Sequence, residues 1–270
     1  MVASFPTPAQ QLQQMMSHES RAPRGRRVQE TTGLNQGLLR LLQFSGILAS
    51  ETGTKLQLAW WNDLIKEYFT PTAFMKLTLW KDNQRKEAKP FEIGVPILPR
   101  FFLVTTQSGV RSMSLALDGA RERNIAPGHS IVECVSAVWT YRYASGYSVT
   151  LRGALSAHVL ITATPASYSF KFDEFTFDAN LHDKFISLDA LNGRRLPDSA
   201  RSSPWVRPLP PDHVHDSEDD TLWDEPRLLI DRCSIPGEPV NAFGIPQATM
   251  RCLEVCLLSL TRMALNHPLL

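Results

Sequence analysis

The hydrophobic period of this chain changes at Pro71, and that change limits the folds open to it. Before Pro71 the apolar residues recur at helical steps. Leu34, Leu38, Leu41, Leu42 and Leu48 mark one helix, and Leu58, Trp61, Ile65 and Tyr68 share a stripe of a second, running from Leu56 to Phe69. After Pro71 the residues alternate in twos. FMKLTLW (74–80) and PFEIG (90–94) read as a hairpin around the polar KDNQRKEAK, and Pro96 and Pro99 frame a short proline-started helix in PILPRFFLVTT. Val110 to Leu117 reads as a strand. Longer candidates follow in IVECVSAVWTYRY, VTLRGALSAHVLITA and SYSFKFDEFTF, with KFISL after them and breaks at Ala144–Gly146 and Pro165. Nineteen of the 24 aromatic residues lie between Trp60 and Phe185, so the core belongs there. Helices followed by strands without intervening crossover helices predict an α+β domain over 33–190, a curved antiparallel sheet with helices covering one face.

The flanks differ. Residues 1–32, with PTPAQQLQQMM and RAPRGRR, have no hydrophobic period and read as a disordered tail, in which residues 21–27 are either an import signal or simply solvating charge. Residues 191–240 read as a Pro-rich acidic linker. Its portion 191–226 holds six of the nineteen prolines and eight acids against four arginines, and Arg194, Arg195, Arg201 and Arg207 all precede Asp212. Seven acids then run from Asp212 to Glu225 with no Lys or Arg among them. A helix is predicted from Pro246 to Asn266, within a C-terminal segment 241–270. Its stripe of Met250, Leu253, Leu257, Leu260 and Ala264 suits either a docked helix or a partner-binding seam.

Lys and Arg number 28 against 27 Asp and Glu, a formal net charge of +1, which argues against autonomous binding to a polyanion. No run of about eighteen apolar residues suits a membrane span, and Met1–Ser20 lacks secretory character, so a soluble intracellular protein is expected. Cys134, Cys233, Cys252 and Cys256 are too scattered for a disulfide framework. Neither Cys252 with Cys256 nor His213 with His215 completes a ligand set, so no metal or cofactor is expected. No nucleophile elbow, phosphate loop or zinc-protease motif occurs. Two alternatives remain open: an isomerase or cyclase drawing on Glu133, His158, Asp173 or Glu174 in a cone pocket, and a nucleic-acid binder using RAPRGRR and the Tyr141–Arg142–Tyr143 strand.

The tandem Trp60-Trp61 and Tyr68-Phe69 within WWNDLIKEYFTPTAFMKLTLW, then Ile93-Gly94 and Pro99-Arg100-Phe101-Phe102 in FEIGVPILPRFF, then RGALSAHVLI, occur in one order. In these motifs the chain resembles the LIM-domain-binding (Chip- and Seuss-like) transcription cofactors, most of all the fungal adhesion and morphogenesis regulators among them. The resemblance implies a cone-like, nuclear-transport-factor-two-like domain that serves as a homodimerising scaffold and not as an enzyme. It implies a dimer interface at Ile97, Leu98, Phe101 and Phe102. NAFGIPQATMRCLEV (241–255) is similar to the family's partner-recruiting region, which implies a LisH-domain or single-stranded-DNA-binding-protein-like partner, a nuclear location and only indirect contact with DNA. No LIM-interaction peptide is recognisable, so LIM binding does not belong to the expectation.

Overall fold

The computed structural model describes residues 35–164, 167–196 and 229–255. The tail, most of the acidic stretch, His213, His215, Leu257, Leu260 and Ala264 lie outside these residues.

Helix α1 (Gln36–Ala49) leads by a 3-10 turn (Gly53–Leu56) into α2 (Leu58–Tyr68), whose last turn runs directly into β1 (Phe69–Trp80). Then come β2 (Ala88–Gly94), α3 (Leu98–Gln107), β3 (Val110–Ala116), β4 (Arg121–Ala126), β5 (His129–Tyr143), β6 (Tyr147–Thr164) and β7 (Ser167–Ile186). These strands form one sheet in the order β2-β1-β7-β6-β5-β3, with β4 also paired to β5. The α+β class and the curved, mostly antiparallel sheet are as expected. The exception is β1, which runs parallel to β7. Entering straight from α2, β1 fills the place between its hairpin partner β2 and the last long strand.

Alternation decides what each face does. On β1, Met75, Leu77 and Leu79 are buried, while Phe74, Thr78 and Trp80 on the other face are half-buried and Lys76 is exposed. The covered face meets α1, α2 and α3 in one aromatic cluster that includes Phe44, Trp61, Phe102, Trp139, Phe172, Phe175 and Phe177. Helix α1 has no cap from its own Asn35, which sits at φ 70. Glu122 on β4 supplies it, accepting from the Gly37 and Leu38 N–H groups at 3.1 and 2.9 Å and from the Ser130 hydroxyl at 2.7 Å. Such a carboxylate also complements the positive end of the helix dipole.

Two sequence expectations need correction. KFISL is no separate element, since β7 continues to Ile186. The two ends of the stretch read as a linker are β-structure: β8 (Asn192–Leu196) and β9 (Leu229–Ser234) pair antiparallel as a ribbon. Residues 247–255 form a helix, α4, and Val240, Phe243, Ile245, Met250 and Leu253 are buried in the same core as the sheet, so of the two readings left open for the C-terminal stripe the described portion follows the docked one.

Candidate functional site

Helix α3 carries the Pro99-Arg100-Phe101-Phe102 motif. Pro99 stands in its first turn, where a missing N–H costs nothing, and Ile97 occupies the N-cap position. Leu98, Phe101 and Phe102 are 0, 1 and 1% exposed in the single chain. Phe102 stacks on Trp61 at 5.0 Å with 10° between the rings, and meets Phe101, Phe44 and Trp139 at 5.1, 6.2 and 6.4 Å. These three side chains therefore have no surface left to offer a second chain; their apolar bulk fills the domain's own core. Of the four residues expected to form a dimer interface, only Ile97 keeps some of its surface, alongside half-buried Leu103 and exposed Arg100 on the same helix.

The α4 stripe is used in the same way. Met250 and Leu253 are 2 and 1% exposed. The Thr249 hydroxyl lies 3.1 Å from that of Thr105 on α3, and Lys89 on β2 pairs with Glu254 at 2.7 Å. Before the helix, Gly244 adopts φ +78, and a Cβ there would come within 2.9 Å of His182 and 2.8 Å of Leu151. The Asp82 N–H donates to Ala242, and the Asn83 side chain is bonded to both backbone groups of His182. Sheet, α3 and the 240–255 segment thus interlock.

The residues considered for acid-base chemistry do not converge inside the cone. Glu133 accepts from Arg123 at 3.0 Å and Glu174 from Lys76 at 2.8 Å, hydrogen bonds that hold both carboxyls below their ordinary pKa and unsuited to donating a proton. His158 Nδ1 faces His129 Nε2 at 3.0 Å, and Asp173 accepts from Thr70 at 2.6 Å. Tyr141 and Tyr143 are buried, and burial raises both phenols above their usual range. The core is mostly hydrocarbon and aromatic ring, with the Trp139 Nε1, Tyr143 hydroxyl and Thr150 hydroxyl buried in it without a hydrogen-bond partner. Among the described residues no three His, Cys, Asp or Glu side chains group to hold a metal, and no helix is long and apolar enough to cross a membrane.

One buried charge escaped sequence reasoning. Lys55, in the 3-10 turn, is 1% exposed. Its ammonium donates to the Leu48 carbonyl at 2.8 Å and to the Ser50 carbonyl, closing the C-terminal end of α1, while its own carbonyl accepts from Trp61 Nε1 at 2.7 Å. Burial lowers its pKa from 10.5 to about 8. The unfolded chain therefore holds this proton more tightly than the folded one across about 8 to 10.5, and Lys55 makes stability rise with pH through that window. Urea titrations on either side of the window should show this rise in the native chain and lose it in Lys55→Met. An equal rise in both would refute the assignment.

The sequence model of the family described as LIM-domain binding protein matches residues 39–258, from α1 through α4. The chain belongs to the LIM-domain binding protein family. It is 26% identical over 225 residues to Adhesion defective protein 1 of Schizosaccharomyces pombe, covering 82% of this chain and 56% of that protein. It is 24% identical over 220 residues to transcriptional activator ptaB of Aspergillus fumigatus, covering 81% of this chain and 28% of that protein. The chain thus spans about half, or less, of the relatives it matches. Among solved structures it is similar to a nuclear transport factor 2 (NTF2-like) superfamily protein of Salmonella enterica, at 14% identity and a TM-score of 0.34, covering 54% of this chain and 87% of that one. In this LIM-domain binding family member the bounds of the match enclose both the sheet and α4, which share one core.

Proposed function

We propose that the chain is a non-enzymatic transcriptional co-regulator of the nucleus that homodimerises and recruits a second transcription regulator, reaching DNA through its partners. The observation that carries this reading is the family match across the whole sheet and α4, together with a relative named as a transcriptional activator. Two pairings on one scaffold act by effective concentration, because the second contact becomes intramolecular once the first has formed. Side chains spent on the core cannot meet a partner, so the homodimer contact falls to the outward side of α3, with Ile97 and Leu103 over a rigid base of Phe101 and Phe102. Likewise the recruited LisH-domain or single-stranded-DNA-binding-protein-like regulator meets the C-terminal segment through the stripe beyond Leu253: Leu257, Leu260 and Ala264.

Light scattering on Ile97→Asp with Leu103→Asp is expected to report a monomer with unchanged circular dichroism. An undiminished dimer would move the interface elsewhere. A monomeric native chain, with no mass increase on adding a LisH-domain protein, would sink the scaffold reading itself.

A further inference from the structure

A recess of about 340 Å³ opens between the 3-10 turn, the end of α3 and the β5–β6 turn. Leu56 and Val110 supply apolar wall, and Lys55, Arg111 and Glu51 supply charge, two cations against one carboxylate. Lys55 spends two of its three N–H donors on backbone carbonyls, and Glu51 is the carboxylate whose charge acts on it. Burial keeps water from screening this ammonium, so its field reaches the recess at greater strength than a surface lysine's would. Arg111 is exposed at the rim. An apolar hollow with excess positive charge suits a peptide that alternates carboxylates with large apolar side chains.

The chain contains one such peptide. From Asp212 to Glu225 it carries seven carboxylates, no Lys or Arg, and Val214, Leu222 and Trp223. Its point of attachment also lies on the recess side of the fold. The residues leading into β8 pack on the β5–β6 turn: Ser187 N–H donates to the Gly146 carbonyl at 3.0 Å, and a Cβ on Gly146 would lie 2.3 Å from that of Ala190. Ala144 of the same turn lines the recess. Between Asp219 and Leu229, where β9 begins, ten residues extend to about 33 Å, roughly twice the length of the five-residue β8. We propose that this recess binds the chain's own acidic segment, residues 212–225, with its carboxylates toward Arg111 and Lys55 and an apolar side chain in the hollow.

Hydrogen exchange of the full chain at low salt tests this with two variants. The first removes five of the segment's seven carboxylates (Asp216→Asn, Glu218→Gln, Asp219→Asn, Asp220→Asn and Asp224→Asn), and the second is Arg111→Glu. Both are expected to speed amide exchange at 52–56 several-fold, Arg111→Glu also at 212–225, and added salt to act in the same direction. Exchange in β5 and β6 should not change, which reports an intact fold. Should Arg111→Glu fail to fold, the five-carboxylate variant still decides the matter, because it leaves every recess residue untouched. Exchange at 52–56 indistinguishable from the native chain in that variant would overturn the proposal. Protection that grows with protein concentration would assign the segment to a second copy and overturn docking within one chain.

Discussion

Phe102→Ala is expected to lower the unfolding free energy by about 3–5 kcal/mol, a large fraction of the roughly 5–15 kcal/mol that holds a domain together. The ring is 1% exposed and touches four other aromatic residues from α1, α2, α3 and β5. No single neighbour can collapse into the space it leaves, because Trp61 is held by its bond to the Lys55 carbonyl and Trp139 by the sheet. The cavity therefore persists, and its cost adds to the lost transfer energy. Urea unfolding measures the effect directly. A loss below about 0.5 kcal/mol, the scale of an ordinary surface change, would mean that this ring is not the hub described. Light scattering completes the division of the α3 motif by role: Ile97→Asp with Leu103→Asp should lower the mass in solution, and Phe102→Ala should lower stability without changing the mass.

That division shows where sequence reasoning stops. The period change at Pro71 suffices to place α1, α2, the β1–β2 hairpin and the long strands, because alternation and helical stripes are local consequences of burying one face. Strand β4 escapes it. Arg121, Arg123, Asn124, Ile125 and Ala126 are all exposed, so no alternation marks the strand, and only the Pro127–Gly128 turn signal before β5 hints at a hairpin. With β4 goes Glu122, the cap of α1. The parallel pairing of β1 with β7 joins segments about a hundred residues apart, which no local pattern records. Hydrophobicity also says that a surface is buried without saying against what. Leu98, Phe101 and Phe102 on α3, and Met250 and Leu253 on α4, have the pattern of an interface and serve as core. Lys55 is hidden for the converse reason: a lone lysine in GTKL looks like surface until the fold brings two carbonyls to it.

The other large effect is expected at Gly153. Strands β6 and β7 shift register between Arg152 and Gly153, and at this irregularity the backbones close in. A Cβ on Gly153 would lie 1.6 Å from the Asp178 carbonyl oxygen and 2.7 Å from its carbon. Backbone, unlike the tip of a long side chain, cannot swing aside, so Gly153→Val must force apart strands that are paired along nearly their whole length. Overpacking ordinarily costs about 1–3 kcal/mol, and the displacement needed here puts the expected loss at or above the top of that range. Phe177 and Ala179, on either side of Asp178, line the core, so the damage extends to the aromatic cluster. Gly46 on α1 provides the control. It is exposed, its added Cβ would meet nothing within 4 Å, and Gly46→Ala in a helix interior should stabilise by about 0.5–1 kcal/mol. Thermal unfolding of the two variants should move in opposite directions. A Gly153→Val protein as stable as the native chain would mean that β6 and β7 are paired in another register, and the outward and inward faces of β6 would have to be assigned anew.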